Sequence, residues 1–375
     1  MAMTGGDFLV GVRARTLVYV EAQRVDSAAG YGRYRYAERM AAETLYASCY
    51  AAMTRHLYGD LDALDAGRRG EWVDYLQSHQ DDDGLFRDPA IFGEGWYADD
   101  PLWCGRPHLT CHVIIALTCL GAVAQKPLRW LMQFHAPGAI EDWLTARDWG
   151  ERVGWTGNEV MNVGTLLQYA RDFLSDDRAA DTLGRMLEWL ERNHLNADTG
   201  LWGARDTADP IGRSHAVQAA YHLWPLWTYD GRAVPHVERA VDSLLASQNP
   251  RGGFGWGVHN PDDGFNSSAC EDIDSIEPLC RFVIVTDYRR EDVVAALGRA
   301  VPWVLSNQNA DGGYVFMRGQ AFEYGHRFMR ADRDVSAMFP TWFRTLALAC
   351  LGRALPQSPV GVYPWHFCRC PGYQF

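Results

Sequence analysis

The sequence lacks the features of several protein classes. Its 375 residues include 35 Lys and Arg against 47 Asp and Glu, a formal net charge of −12, and no basic patch with interleaved aromatic residues. We therefore expect no nucleic-acid partner. No apolar run reaches the ~18 residues that indicate a membrane-spanning helix, and the first residues show no basic region followed by an apolar stretch. These absences predict a soluble, cytoplasmic protein without a transmembrane segment.

Motifs of the common catalytic classes are also missing. The chain has no Gly-x-Ser-x-Gly elbow, no P-loop and no dinucleotide fingerprint, so acyl transfer and nucleotide chemistry lack support. The nine cysteines are scattered, and several lie in apolar helical sequence. This distribution predicts buried thiols in a reducing compartment and not a disulfide framework. Cys368 and Cys370 are too close together for the usual paired-cysteine zinc spacing.

Aromatic residues, by contrast, are abundant, at 13% of the chain with 15 tryptophans. So many large rings predict either a large core or an aromatic-lined cavity. Four segments also repeat one pattern, in which an aromatic or apolar residue, an aliphatic residue and a spacer precede a Gln, a Gly turn and an aromatic residue. The aligned Gln position holds Gln80, His194, Gln248 and Gln308.

Helical patterns surround each of these turns. Stretches that are apolar nearly all round are predicted to be inner helices, and amphipathic stretches between them outer helices. The inner stretches are 36–57, 107–123, 158–173, 212–227, 269–285 and 335–351. The outer stretches are 66–79, 128–147, 179–193, 235–247 and 290–307. With no convincing strand pattern, this alternation predicts an all-α fold, an (α/α)6 barrel that forms one domain over residues 1–375. Residues 1–26 would add a closing outer helix, and residues 354–375 a C-terminal tail.

A dense acidic cluster opens the fifth inner stretch, where Glu271, Asp272, Asp274 and Glu277 precede an apolar run. Acidic residues suit the first turn of a helix, because unpaired N–H groups and partial positive charge lie there. Carboxylates this close cannot all ionise at low cost in a dry site. At least one pKa should therefore rise and leave a carboxylic acid protonated near neutral pH. The alternative is ordinary helix capping in a solvated first turn.

The repeats resemble the QW motifs of the terpenoid cyclase and protein prenyltransferase superfamily, over roughly residues 72–351. The fourth repeat, Arg299 to Tyr314, fits the whole pattern except that Tyr314 replaces the usual Trp. In such a repeat the Gln side chain can tie the end of one helix to the backbone of the next repeat, while the aromatic ring packs over the turn. The zinc site of the prenyltransferases is not matched, because Cys270 and Asp272 stand in reversed order and the last inner stretch has no His.

The resemblance extends to the acidic cluster. Class II terpene cyclases carry Asp-x-Asp-Asp at the start of an inner helix, and the middle Asp protonates an alkene or epoxide. Asp272-Ile273-Asp274-Ser275 is similar to that motif, with Ser275 at the last Asp. The resemblance implies Asp274 as proton donor and Asp272 as its partner, without a metal or redox cofactor. Aromatic faces would stabilise the carbocation of a small hydrophobic isoprenoid. A chain of one barrel would use its own funnel, or pair with a second copy or another chain.

Further candidates lie near the expected mouths of the inner helices. Asn158 and Asn162 are four residues apart and share a helix face, as do His108 and His112. His215 is placed to hydrogen-bond Asp274 or Glu277, and its alternative role is that of a satisfied buried histidine. The predicted substrate-binding residues are Glu271, Glu277, His215, Asn158, Asn162, Trp155, His112, Phe339 and Trp342.

Two other functions stay open. Carbohydrate-active hydrolases, lyases and epimerases also use (α/α)6 barrels, and here Glu271, Asp274, Glu277 and His215 would serve as acid and base. The polar candidates favour this function, whereas the repeats oppose it. The third function is that of a non-catalytic binding barrel.

Overall fold

A computed structural model describes residues 5–26, 28 and 30–372, and the side chains from residue 8 onward. Within these residues the chain is predominantly helical, as predicted, and none of the helices is long and apolar enough to cross a membrane. The α-helices are α1 (Gly5–Ala22), α2 (Leu45–Leu57), α3 (Ala66–Gln77), α4 (Arg106–Cys119), α5 (Ala139–Thr145), α6 (Val153–Phe173), α7 (Asp177–Arg192), α8 (Pro210–Thr228), α9 (Val237–Leu245), α10 (Ala269–Val285), α11 (Arg290–Ser306) and α12 (Met338–Ala354).

Short elements complete the secondary structure of the described residues. Two antiparallel pairs of two-residue strands are formed by β1 (Leu195–Asn196) with β2 (Leu201–Trp202), and by β3 (Phe322–Glu323) with β4 (Arg330–Ala331). The 3₁₀ helices are Asp60–Ala63, Gly95–Tyr97 and Arg129–Phe134.

The chain divides into two compact units, each made of two separate stretches. The first unit comprises Met1–Tyr75 and Leu244–Phe367, and the second comprises Leu76–Ser243 and Cys368–Phe375. The boundaries therefore fall inside α3 and α9. The expectation of a single domain over residues 1–375 stays a prediction, as do the roles given to residues 1–26 and 354–375.

Each unit has a core of helices that are buried on nearly every side. In the first unit α12 packs against α2 and α10, and all of its residues from Met338 to Gly352 are buried. In the second unit α6 packs against α4 and α8, while α7 lies against α6 with one apolar face. Helices that are apolar all round belong inside a fold, so the predicted inner stretches occupy the places expected of them.

Two predicted helices have different bounds in the structure. The first inner helix begins at Leu45 and not at residue 36, because Thr44 caps it and the preceding residues pair as isolated bridges with other segments. The predicted outer helix over residues 128–147 is broken into a 3₁₀ helix and α5. Pro137 cannot donate a backbone hydrogen bond and Gly138 has a left-handed φ of 81°, so the helix cannot run through them.

The repeated Gln residues join successive repeats through the same pair of hydrogen bonds. Gln80, Gln248 and Gln308 each donate from Nε2 to the carbonyl of the Gly four residues ahead, at 2.9, 3.0 and 3.1 Å. The same nitrogens also donate to the Lys126 carbonyl, the Ala296 carbonyl and the Thr16 hydroxyl, at 3.0, 2.8 and 3.0 Å. The predicted tie to a backbone group is therefore observed for Gln80 and Gln248, whereas Gln308 binds a side-chain hydroxyl of α1. The assignment to QW motifs stays a prediction.

A second hydrogen bond recurs in the same three repeats. The N–H of the aromatic residue after each Gly turn donates to a side-chain oxygen on an inner helix. The pairs are Phe86 with Thr110, Phe254 with Asp272 and Tyr314 with Thr341, at 2.9, 3.0 and 3.0 Å. Asp272 thus occupies a place that a threonine hydroxyl fills in the other two repeats, and it brings a charge there.

The Gln ties should contribute measurably to stability. Gln80 is 6% exposed, and its replacement by Ala would leave two carbonyls and the Lys126 N–H, which donates to Gln80 Oε1 at 2.8 Å, without partners. We expect Gln80→Ala to lower the free energy of unfolding by about 2 kcal/mol in urea titrations. Gln133 is exposed and bonds only to the nearby Trp130 carbonyl, so Gln133→Ala is the control. Equal losses in the two variants would contradict the structural role of Gln80.

Candidate active site

The acidic cluster begins with a residue that caps α10. Ser268 is the N-cap, and its Oγ accepts a hydrogen bond from the Glu271 N–H at 3.2 Å. Glu271 Oε2 accepts from the Ser268 N–H at 2.9 Å, which completes a capping box. Gly255 lies so close that a Cβ there would stand 2.8 Å from Glu271 Oε2. Burial raises the pKa of Glu271, but the carboxyl serves the end of the helix.

Asp272 accepts hydrogen bonds from three donors. Its Oδ1 accepts from the Phe254 N–H at 3.0 Å, and its Oδ2 accepts from Trp303 Nε1 and from Arg344 Nη1, both at 2.8 Å. The residue is 1% exposed. Hydrogen bonds to the charged form and a nearby cation both favour ionisation, so Asp272 is built to be a carboxylate.

Arg344 reaches Asp272 from the middle of α12. Its guanidinium also donates to the carbonyls of Val315, Phe316 and Ser267, at 3.2, 3.1 and 3.4 Å. A buried cation needs a counterion and partners for its N–H groups, and Arg344 has both. The arginine therefore fixes α12 to the entry of α10 and to the turn of the fourth repeat.

Asp274 is the remaining acid at the start of α10. Glu277 forms an ion pair with Arg281 one turn further along the same helix. Asp274 is 6% exposed, and its carboxyl makes no hydrogen bond with any described residue. Burial raises the pKa of Asp274 well above its ordinary value, and the neighbouring charges of Glu271 and Asp272 raise it further. The structure thus separates one carboxyl without a hydrogen-bond partner among the described residues from three that have a cap or an ion pair.

Aromatic rings are packed closely in the same unit, and Phe339 is central to them. Phe339 lies 4.8 Å from Tyr324 and 4.6 Å from Phe343 between ring centroids. Trp342 is fully buried and stacks on Tyr50 at 5.3 Å. Trp342 therefore supports the cluster from within the core, while Tyr324 is only half-buried.

Phe316 links these rings to the acidic helix. Its ring stacks on Phe322 at 3.6 Å between centroids. Its carbonyl accepts both from the Ala269 N–H, at 2.9 Å, and from Arg344 Nη2. Aromatic faces are therefore tied to the first residue of α10, where a cation formed near the acid could be stabilised by them.

The predicted asparagine pair lies in the second unit, on one face of α6. Asn162 Nδ2 donates to Asn158 Oδ1 at 3.1 Å and to the Leu102 carbonyl at 2.8 Å. Asn162 Oδ1 is buried and has no hydrogen-bond partner among the described residues. Trp155 packs on Trp103 with 4.9 Å between ring centroids. These side chains combine amide groups with partly exposed aromatic surface.

Two buried histidines of the second unit, His112 and His222, are held neutral. His112 Nδ1 lies 2.9 Å from the His108 carbonyl, and His222 Nδ1 lies 2.6 Å from the Gln218 carbonyl. A carbonyl only accepts, so Nδ1 carries the proton in both rings. Burial lowers the pKa of His112 and of His222 to about 4. His215 is half-buried on α8, and its hydrogen bond with Asp274 or Glu277 stays a prediction.

The predicted site residues thus fall into two groups. The acidic cluster, Phe339 and Trp342 belong to the first unit, whereas Trp155, Asn158, Asn162, His112 and His215 belong to the second. Surface pockets of about 660 and 590 Å³ are lined by other residues, such as Arg171 and Arg24, and by none of these side chains. The pockets therefore support none of the three functions.

Sequence reasoning missed Arg344 and gave Trp303 only a place in a repeat. A signal for Arg344 was present, because a lone arginine in the middle of a helix that is otherwise apolar there needs a buried counterion. The pairing with Asp272 in particular depends on how α12 packs against α10, which the sequence does not display.

Comparison with known proteins supports the resemblance to terpenoid cyclases. The chain is 26% identical to the lanosterol synthase of Gibberella zeae over an alignment of 230 residues that covers 50% of this chain. It spans only about 30% of the length of that curated relative. No protein-family model matches the chain.

Solved structures show the fold. A type II terpene cyclase from Scytonema superimposes with a TM-score of 0.51 at 15% identity, over 94% of this chain and 99% of that chain. A family 88 glycosyl hydrolase from Bacteroides vulgatus gives 0.53 at 12% identity, over 93% and 99%. These likenesses confirm the all-α, (α/α)6-barrel class. The fold is terpene cyclase-like, and it is shared with enzymes that act on carbohydrates.

The raised pKa of Asp274 predicts a pH dependence of stability. A carboxyl whose folded pKa lies above its unfolded value near 4 stabilises the fold fully only below the unfolded pKa, and this contribution is lost as the pH rises through the folded pKa. The stability of Asp274→Asn relative to the wild type should therefore rise from about pH 4 upward, by up to ~1.4 kcal/mol per pH unit, until the pH passes the folded pKa of Asp274. Urea unfolding at several pH values measures this, with the exposed Asp262→Asn as control. Parallel stability curves for Asp274→Asn and the wild type would show that Asp274 is not held protonated.

Proposed function

We propose that the chain is a class II terpene cyclase-like enzyme, of the isomerase or lyase type, that acts in isoprenoid biosynthesis. The observation that supports this most strongly is the isolation of Asp274. Three of the four acids at the start of α10 have a cap or an ion pair, and Asp274 has neither among the described residues. A buried carboxyl kept protonated is the group that proton-initiated cyclisation requires.

In the proposed reaction Asp274 transfers its proton to a terminal alkene or epoxide of a polyene. The electron pair of that group forms the new C–H or O–H bond, and the carbocation left behind is attacked by the next alkene, so that a ring C–C bond forms. Loss of a proton at the end leaves a product isomeric with the substrate, and capture by water would add one water instead. Asp272 stays ionised beside the acid, and the rings near Phe316 and Phe339 stabilise the cation.

The other site residues enter this proposal as substrate-binding groups. They are Glu271, Glu277, His215, Asn158, Asn162, Trp155, His112, Phe339 and Trp342. The substrate would be a small hydrophobic molecule, and the cyclisation uses no metal or redox cofactor. Support comes from the Scytonema cyclase, whose structure holds geranylgeranyl dihydroxybenzoate as substrate. A second copy or another chain would complete the cavity if one barrel does not enclose the substrate, and we place the enzyme in the cytoplasm.

Product analysis in D₂O tests the proposal. Purified protein is incubated with squalene, oxidosqualene, C15 and C20 prenyl diphosphates and geranylgeranyl dihydroxybenzoate. From a substrate whose alkene is protonated we expect a cyclised product that has gained one carbon-bound deuterium, because the initiating proton comes from an exchangeable acid. From oxidosqualene we expect a cyclised alcohol, whose O–D exchanges with water during isolation. Asp274→Asn should reduce its formation at least ~100-fold, since a general acid contributes about that much. The exposed Asp262→Asn should leave it unchanged.

Two results would refute the cyclase proposal. One is the absence of turnover of every polyene by protein that is folded by circular dichroism. The other is a product of an alkene substrate that is cyclised without carbon-bound deuterium, because the proton would then not have come from an exchangeable acid such as Asp274.

A carbohydrate-active enzyme is the second candidate, and the tryptophans of the second unit favour it. Trp96 is 42% exposed, and its ring centroid lies 5.1 Å from that of Trp103, which packs on Trp155. A row of accessible rings next to amides suits the apolar face and hydroxyls of a sugar. Cleavage of an oligosaccharide panel, lost in Trp103→Ala and in Asp274→Asn, would establish this function in place of cyclisation.

A further inference from the structure

Arg344 lies beside the aspartates at the start of α10. Its position bears on a question that the proposed reaction leaves open, namely which aspartate keeps a proton. Two neighbouring aspartates, Asp272 and Asp274, are both nearly buried at the start of α10, at 1% and 6% exposure. Two such carboxyls do not both ionise in a dry site, so one of them keeps a proton. Which one keeps it decides which residue can act as the acid.

The two aspartates have different neighbours. Asp272 faces Arg344 from α12 and Trp303 from α11, whereas Asp274 has Cys270, Glu271 and Asp272 of its own helix as charged or titratable neighbours. Every donor that favours a carboxylate therefore points at Asp272, and none of the described donors points at Asp274.

We propose that Arg344 is a positioning residue, which holds Asp272 as the carboxylate and thereby leaves the transferable proton on Asp274. The role rests on the proposed function insofar as that proton is used for cyclisation, but its placement is a property of the protein alone. Arg344 lies in a helix that is apolar through its middle, and all its hydrogen bonds go to Asp272 and to backbone carbonyls. Arg344, the one buried cation of α12, therefore pairs with a single carboxylate, that of Asp272.

The repeats offer a neutral replacement for the ion pair. Thr110 and Thr341 make with their hydroxyls the same backbone hydrogen bond that Asp272 makes with its carboxylate. The double variant Asp272→Thr with Arg344→Met therefore keeps this bond and removes both charges together. Replacing both partners of a buried pair with groups of suitable shape is often tolerated, whereas removing one of them leaves an uncompensated charge.

Carboxyl-carbon NMR of protein labelled at the aspartate side chains tests the inference. The signals of Asp272 and Asp274 are assigned by their loss in Asp272→Thr with Arg344→Met and in Asp274→Asn. In the wild type at neutral pH we expect Asp272 ionised and Asp274 protonated. In Arg344→Met we expect Asp272 to take up a proton, because its counterion is gone. The midpoint of Asp274 should then fall by roughly one pH unit, since a neighbouring negative charge no longer opposes its ionisation.

Two further variants separate electrostatics from packing. Arg344→Lys keeps the charge but loses the planar fork, and should hold Asp272 ionised even where stability falls. Arg55→Met breaks another ion pair of the first unit, with Asp60 at 2.6 Å, and should leave both aspartate signals unchanged. If Arg344→Met does not fold, Arg344→Gln carries the test of Arg344, because it removes the charge and keeps a polar end. The double variant then tests separately whether the charge of Asp272 raises the midpoint of Asp274.

Activity supplies an independent readout. If Asp274 loses its proton at lower pH, the pH above which cyclisation ceases should move down by the same amount, about tenfold in rate per pH unit on that limb. Shifted signals without polyene turnover by the wild type would uphold the role of Arg344 and refute the cyclase. Turnover with an Asp272 that stays ionised and an Asp274 midpoint that stays fixed, in the variants without Arg344, would refute the role of Arg344 and leave the cyclase intact.

Discussion

The ion pair between Arg344 and Asp272 is the interaction on which the rest of the candidate site depends. It joins the middle of α12 to the start of α10 with 2.8 Å between Arg344 Nη1 and Asp272 Oδ2, in a place where both residues are 1% exposed. Breaking such a pair typically costs about 3–5 kcal/mol, whereas forming it contributes little net stability. Stability alone therefore does not explain a buried ion pair beside the unpaired carboxyl of Asp274.

The repeats explain how the pair comes to be there. Three Gly turns are fixed by a Gln side chain, and three inner helices receive the N–H of the following aromatic residue. In two of these places the acceptor is a threonine, which is neutral. In the third place the acceptor is Asp272, whose buried carboxylate pairs with Arg344 as its counterion.

Much of this arrangement could be predicted from the sequence, because it follows from periodicity. Runs that are apolar all round indicated the inner helices, and α10 begins at Ala269 and ends at Val285 as expected. The start of α2 was wrong, since a capping Thr44 and local bridges override an apolar pattern. The partition of the four acids could not be predicted, because it depends on which side chains from α11 and α12 reach α10. Pairings over such sequence distances are set by packing, and spacing along the chain does not report them.

The central claim is that one proton resides on Asp274 and none on Asp272 while Arg344 is in place. Neutron diffraction from a deuterium-exchanged crystal near neutral pH tests it most directly, because deuterium is then visible on individual oxygens. The account predicts density for deuterium on a carboxyl oxygen of Asp274, and a bare carboxylate at Asp272 that accepts from Arg344 and Trp303. A deuterium on Asp272, or a bare Asp274, would contradict the assignment of the acid and with it the proposed mechanism.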